Sequence, residues 1–275
     1  MLRIVTILEN RPSGNNALLA EFGLSFLVQV DKHNILFDCS RDAGASSNAN
    51  RLNIDLNSID YTIISHSHFD HAGGYPDFLQ KGLRSPLITG VKFWEDKYSH
   101  QGETFTYLGC GFSQELLEKY KIEHRICKDM LELFPNCYVM SDFARTHAFE
   151  QIPQRFQKVT SQGGVPDDFA DEVCLVIDTP KGLVVVVGCS HPGILNILDT
   201  IKGRLNKKIY ALVGGSHLMD ADEGRIAQTV KALEEYGIEI MGLNHCTGEN
   251  AEHCISAQTT KMKIASMHSG DCLFL

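Results

Sequence analysis

Apolar positions along the chain recur with two periods. Alternating or continuous β-branched runs predict strands at 2–8, 24–30, 34–38, 60–65, 86–90, 173–178, 182–188, 208–214 and 238–243, with a last one at 271–275. Between the later strands the spacing becomes helical. Ile194, Leu195, Leu198 and Ile201 lie on one face, and Ile226, Val230 and Leu233 do so again before Gly237, a residue that suits a helix stop. Strand and helix therefore alternate in the second half, the pattern of an α/β protein. The stretch 91–170 is the least patterned. It carries a short helix near 113–121 and a Gly163-Gly164 pair that reads as a loop, so it is expected to be an insertion or lid on a single domain spanning 1–275.

The segment from Ser25 to Ser40 is echoed by the segment from Cys174 to Ser190: strand, tight turn, strand, then Cys39-Ser40 or Cys189-Ser190. Two such halves imply two sheets packed face to face, each hairpin rich in Val, Ile and Leu because helices cover its outer side. Chance likeness between two ordinary hairpins accounts for so short an echo equally well.

Composition narrows the function classes. The 275 residues are 43% hydrophobic and 21% charged, as in an ordinary globular protein with a core sufficient without staples. Thirty-four acidic against 25 basic residues, a formal charge of −9, give no basic face for nucleic acid or an anionic membrane. No apolar run reaches the length of a membrane span, and the opening Met1–Glu9 segment reads as a strand rather than a signal peptide, so a cytoplasmic location is expected. The nine cysteines are odd in number and contain no CxxC, which argues for reduced thiols rather than a disulfide framework.

The twelve histidines carry the chemistry. After the strand at 60–65 comes Ser65-His66-Ser67-His68-Phe69-Asp70-His71-Ala72-Gly73-Gly74, an HxHxDH string at a strand's C-terminal end. His66 and His68, two residues apart, project to the same side of an extended segment, and Asp70 and His71 follow as the chain turns. One short loop thus aims imidazoles and a carboxylate at adjacent points, a geometry that fits two metal ions. The glycines allow backbone to pass close by. Surface histidine-rich loops exist, but the fixed spacing favours metal. His191 follows the strand at 182–188, His217 the strand at 208–214 and His245 the strand at 238–243. His245 has the character of a metal ligand, whereas His217 suits substrate contact or proton transfer, its plainer role being a cap on the following helix.

The string His66-x-His68-x-Asp70-His71 after an apolar strand resembles the signature of the metallo-β-lactamase fold superfamily. Ile35-Leu36-Phe37-Asp38 resembles its early strand ending in a structural aspartate, and Asn244-His245-Cys246-Thr247-Gly248 stands where its last metal histidine follows a late strand. Gly188-Cys189-Ser190-His191-Pro192-Gly193, Gly214-Gly215-Ser216-His217-Leu218 and the His-Cys-Thr-Gly string are similar to the branch of dihydropterin ribofuranosylaminobenzene-phosphate synthase-like proteins. The resemblance spans about 24 to 250. It implies an αββα sandwich of two mixed β-sheets flanked by helices, and metal ligation by His66, His68, Asp70, His71, Cys189, His191 and His245. Two departures stand out. Cys189 occupies the place of a bridging aspartate, where thiolate can replace carboxylate or the thiol can simply close the strand. The family's third histidine should precede the 173–188 hairpin, where only His147 is near, so His191, two residues beyond Cys189, is the better substitute.

Such a donor set suits Zn²⁺, one or two ions per chain, with Fe²⁺ or Mn²⁺ as alternatives. The expected activity is a metal-dependent hydrolase that uses a metal-activated water on a small ester, lactone, amide or phosphoester, with Asp70 and His217 as catalytic groups. The branch implies instead a condensing synthase acting on a phosphorylated pterin or aminobenzene precursor, and a non-catalytic metal-containing sensor is a third reading. Di-iron flavin chemistry is disfavoured because relatives that perform it carry a glutamate in the loop where Ser67-His68-Phe69 has none. The partner is a small-molecule substrate, and oligomeric state is not readable from one sequence.

Overall fold

The hairpin from Ser25 to Phe37 forms as its alternation dictates, with Ser25–Val30 antiparallel to His33–Phe37 and Phe26 opposite Phe37. Its counterpart, Cys174–Thr179 and Gly182–Val187, pairs in the same way, Leu175 facing Val186. In both cases the second strand then takes a parallel neighbour, Tyr61–Ile63 in the first and Ile209–Gly214 in the second. The echo between the two segments is therefore one of topology as well as sequence. In this computed structural model residues 1–14, 16–160, 163–259 and 262–275 are described. They divide into two compact units: Met1–Ile126 with Pro153–Asp171 and Met267–Leu275, and Cys127–Ile152 with Glu172–Ser266.

In the first unit a mixed seven-stranded sheet runs, edge to edge, through Cys272–Phe274, Leu2–Leu8, Ser25–Val30, His33–Phe37, Tyr61–Ile63, Leu87–Gly90 and His124–Cys127. Its early pairings are antiparallel and those of Tyr61–Ile63 are parallel. Parallel neighbours need a crossover, which the helices Ala43–Arg51 and Tyr75–Gln80 supply. Asp42 caps the first of these by accepting from the Gly44 amide at 3.1 Å. Leu8, Leu36, Ala45, Ala49, Tyr75, Phe78 and Leu79 pack together beneath them.

The weakly patterned stretch holds more structure than its sequence suggests. Besides the helix Gln114–Tyr120, it contributes Lys97–Gln101, Thr104–Tyr107, Phe156–Thr160 and Gly163–Pro166 to a four-stranded antiparallel sheet. Gly163-Gly164 is strand rather than the expected loop, paired with Thr160 and Val159. Residues 161 and 162 of this stretch lie outside the described residues.

The second unit holds another mixed seven-stranded sheet, ordered Lys263–Ile264, Ile240–Leu243, Ile209–Gly214, Gly182–Val187, Cys174–Thr179, Cys137–Met140 and Met130–Phe134. The first four strands run parallel, linked by the helices Ile194–Leu205, Glu223–Glu235 and Glu249–Gln258. Leu183, Val185 and Val187 pack with Ile194, Leu198, Ile201, Val230 and Leu233. Burying each such side chain stabilises the fold by about 1.5–3 kcal/mol before conformational entropy is subtracted. Glu150 caps the first of these helices, its carboxylate accepting from the Leu195 and Asn196 amides at 3.0 and 2.9 Å. Among the described residues no helix is long and apolar enough to cross a membrane.

Candidate functional site

The HxHxDH string begins one residue after Ser65, at the C-terminal end of Tyr61–Ile63, and runs into the short helix Phe69–Ala72. His66, His68, Asp70 and His71 are all buried. Their rings converge, the His66 centroid lying 4.7 Å from that of His68 and 4.3 Å from that of His71. Asp38 holds this loop from behind. One of its oxygens accepts the Ser65 amide at 2.7 Å, and the other lies 2.9 Å from Ser65 Oγ and 2.6 Å from His71 Nδ1. That contact commits His71 Nδ1 and turns Nε2 toward Asp70, whose Oδ2 is 3.6 Å away. A carboxylate behind an imidazole in this way fixes the ring's tautomer and orientation and raises its basicity as a ligand. The structural role that the resemblance gives Asp38 thus has a geometric basis. Gly74 is required by close approach, since a Cβ there would lie 2.1 Å from Cys39 O and 2.4 Å from Asp42 O.

A second support for the loop is not apparent in the sequence. The Ser67 amide, between His66 and His68, donates to Asp171 Oδ2 at 2.8 Å. Lys97 Nζ lies 2.5 Å from the other oxygen of Asp171 and 3.2 Å from Asp167 Oδ2. Lys97 is 1% exposed. Burial by itself would push its pKa down, but Asp171 and Asp167 overcome that and hold the ammonium above the ordinary lysine value. Phe169 closes the apolar side, its ring 5.2 Å from that of His68 and 4.4 Å from Lys97 Nζ.

In the second unit the other candidates follow strand ends. Cys189 and His191 are buried just after Gly182–Val187. Between them Ser190 adopts a left-handed backbone, φ 60°, as Ser40 does in the echoed segment at 63°. Glu172 accepts the Ser190 amide at 2.6 Å and the His191 amide at 3.2 Å, and Ser190 Oγ donates to Gly215 O at 2.7 Å. His217 follows Ile209–Gly214 with its ring 4.4 Å from that of His191. His245 starts the turn after Ile240–Leu243. Both adopt strained positive φ, 48° and 53°, which tertiary contacts must enforce. The two loops are tied together by Ser216 N to Thr247 Oγ1 at 3.1 Å and Met219 N to Cys246 O at 3.1 Å. His217 does not cap the helix that follows; Asp222 does, accepting from Arg225 N at 2.7 Å. His147 is drawn elsewhere, its Nε2 lying 2.9 Å from Asp199 Oδ2.

The structure therefore gathers His66, His68, Asp70 and His71 within one unit, and Cys189, His191, His217 and His245 on loops of the other. Imidazole, carboxylate and thiol, buried and backed by hydrogen-bonded carboxylates, form a donor set suited to a divalent transition metal.

Residues 19–82, which contain the whole first set, match the model of the metallo-beta-lactamase superfamily. The chain is 33% identical, over 98% of its length and 95% of the relative's, to the 7,8-dihydropterin-6-methyl-4-(beta-D-ribofuranosyl)-aminobenzene-5'-phosphate synthase of Methanocaldococcus jannaschii. The chain belongs to the metallo-beta-lactamase superfamily. It shares that superfamily's mixed α/β fold with Tm1679, a metal-dependent hydrolase of the beta-lactamase superfamily, at TM-score 0.86 and 31% identity over 100% of this chain and 99% of that one. Zn²⁺-bound PqqB from Methylobacterium extorquens has the same fold at TM-score 0.57 and 13% identity, over 99% and 100% of the two chains.

Within this superfamily member, Asp171, Glu172 and Lys97 are the residues that sequence reasoning missed. The only local signal was an acidic pair directly before an apolar strand, which does not reveal whose amides it will hold.

Proposed function

We propose that the protein is a metal-dependent hydrolase of a small ester, lactone, amide or phosphoester, with the buried HxHxDH loop as its principal metal-binding element. In this reading His66, His68, Asp70 and His71 of one unit, and Cys189, His191 and His245 of the other, are the metal ligands. The observation that carries it is the HxHxDH loop with His71 fixed by Asp38. Zinc suits the mixture of imidazole, carboxylate and thiolate. When bound, such ions supply Lewis acidity and make an attacking water acidic enough to react at neutral pH. With the ion bound, Asp70 would be the group that orients the attacking water and accepts its proton. His217, whose ring lies 4.4 Å from that of His191, would hold a proton for the leaving group.

A second reading is favoured by the 33% identity to the M. jannaschii synthase over nearly the whole of both chains. In it the same centre serves condensation on a phosphorylated aminobenzene or dihydropterin precursor. The deciding experiment sets zinc-loaded protein against a panel of esters, lactones, amides and phosphodiesters, and in parallel against a dihydropterin with a ribofuranosylaminobenzene 5'-phosphate. Turnover in the first panel, lost in His68→Ala, supports the hydrolase. Turnover confined to the second assay replaces it with the synthase.

A further inference from the structure

The chain passes from one unit to the other between two adjacent acids, Asp171 and Glu172, each 1% exposed. Asp171 accepts the amide of Ser67, which lies between His66 and His68. Glu172 accepts the amides of Ser190 and His191, the residues that follow Cys189. Both anchors are themselves held. Asp171 takes Lys97 on its second oxygen, and its backbone lies so near Gly90 that a Cβ there would come within 2.2 Å of Asp171 O. The Glu172 carbonyl accepts Ser141 Oγ at 2.9 Å.

We propose that Asp171 and Glu172 are positioning residues for the metal ligands: Asp171 is a backbone anchor of the loop that bears His66 and His68, and Glu172 one of the loop that bears Cys189 and His191. The inference rests on the metal reading above. Its physical basis is that each carboxylate uses both oxygens as acceptors, Asp171 for an amide and an ammonium, Glu172 for two successive amides. An isosteric amide retains one acceptor and turns an N–H toward a donor at the other position, so the loop must shift. Asp171 holds its loop through a backbone amide and Glu172 through two, so the effect is on where the ligands stand rather than on their number.

The test uses the full chain and Co²⁺ alone as probe, with affinity read by titration and coordination by the visible and near-ultraviolet absorption of the bound ion. His68→Ala serves as the control that removes a ligand. Loss of such supporting groups typically weakens metal affinity about 10–100-fold. Asp171→Asn is expected to weaken Co²⁺ at least tenfold and to shift the ligand-field bands while the thiolate-to-cobalt band persists. Glu172→Gln is expected to weaken Co²⁺ similarly and to diminish the thiolate band, because its loop carries Cys189. Circular dichroism identifies variants that retain the fold. Should Asp171→Asn fail to fold for want of a partner to Lys97, Glu172→Gln carries the test by itself. Folded variants that bind Co²⁺ with the affinity and spectrum of the parent, changed only in melting temperature, overturn the inference and leave the metal reading intact provided that His68→Ala loses the ion. Parent protein that binds no Co²⁺ overturns both.

Discussion

Asp38 and Asp171 act on the same loop through different partners, and the difference predicts different consequences. Asp38 fixes a ring, that of His71, so Asp38→Ala removes the constraint on the tautomer and is expected to weaken zinc binding about 10–100-fold, measurable by competition with a chromophoric chelator. Asp199 shows the same chemistry put to a structural end. Partial burial raises its pKa, but hydrogen bonds from Tyr236, Thr146 and His147 outweigh that and bring it below the ordinary carboxylate value. A carboxyl depressed in the folded state contributes stability that is complete above its unfolded value of 3.8 and is lost as the pH falls through the lower folded value. Melting temperatures measured from neutral pH downward should therefore show a shallower acid limb in Asp199→Asn than in the parent; parallel limbs would contradict the assignment. The HxHxDH string is legible in sequence because its groups lie within six residues and follow one strand. The carboxylates behind it are not, since Asp171 reaches Ser67 across 104 positions and no periodicity records such a partner.

At the scale of elements, legibility follows burial. The strands Leu2–Leu8, Cys174–Thr179, Gly182–Val187 and Ile209–Gly214 stand where continuous apolar runs place them, because nearly every side chain in them is enclosed. Thr104–Tyr107 is exposed along its whole length, and with no inward face it leaves no alternation to read, while Met130–Phe134 buries none of its side chains fully. The helix Ala43–Arg51, built of small and polar residues, likewise presents no apolar stripe. It forms because Asp42 caps it and because Ala45 and Ala49 fit close against the core. The helix Ile194–Leu205 is the opposite case, readable at once from its stripe, and its core position makes a quantitative prediction. Leu198→Ala should destabilise the protein by about 2–5 kcal/mol. This appears as a lower urea midpoint at unchanged slope; a loss below about 1 kcal/mol would show that this face is loosely packed.

For the molecule as a whole, fold and family follow from the match over nearly the full chain and from the shared mixed α/β architecture. The candidate chemistry lies in the loops at strand ends, where eight buried donor or proton-transfer candidates stand on two frameworks of like topology. On the proposed reading the reaction depends on bound ions, so the first question about the whole protein is whether it holds metal where these residues stand. Elemental analysis of the purified chain, beside the His66→Ala/His68→Ala double variant of confirmed fold, answers it most directly. About one to two zinc-class ions per parent chain, most of them lost in the variant, is the predicted result. A metal content that stays the same when both imidazoles are removed would contradict the account.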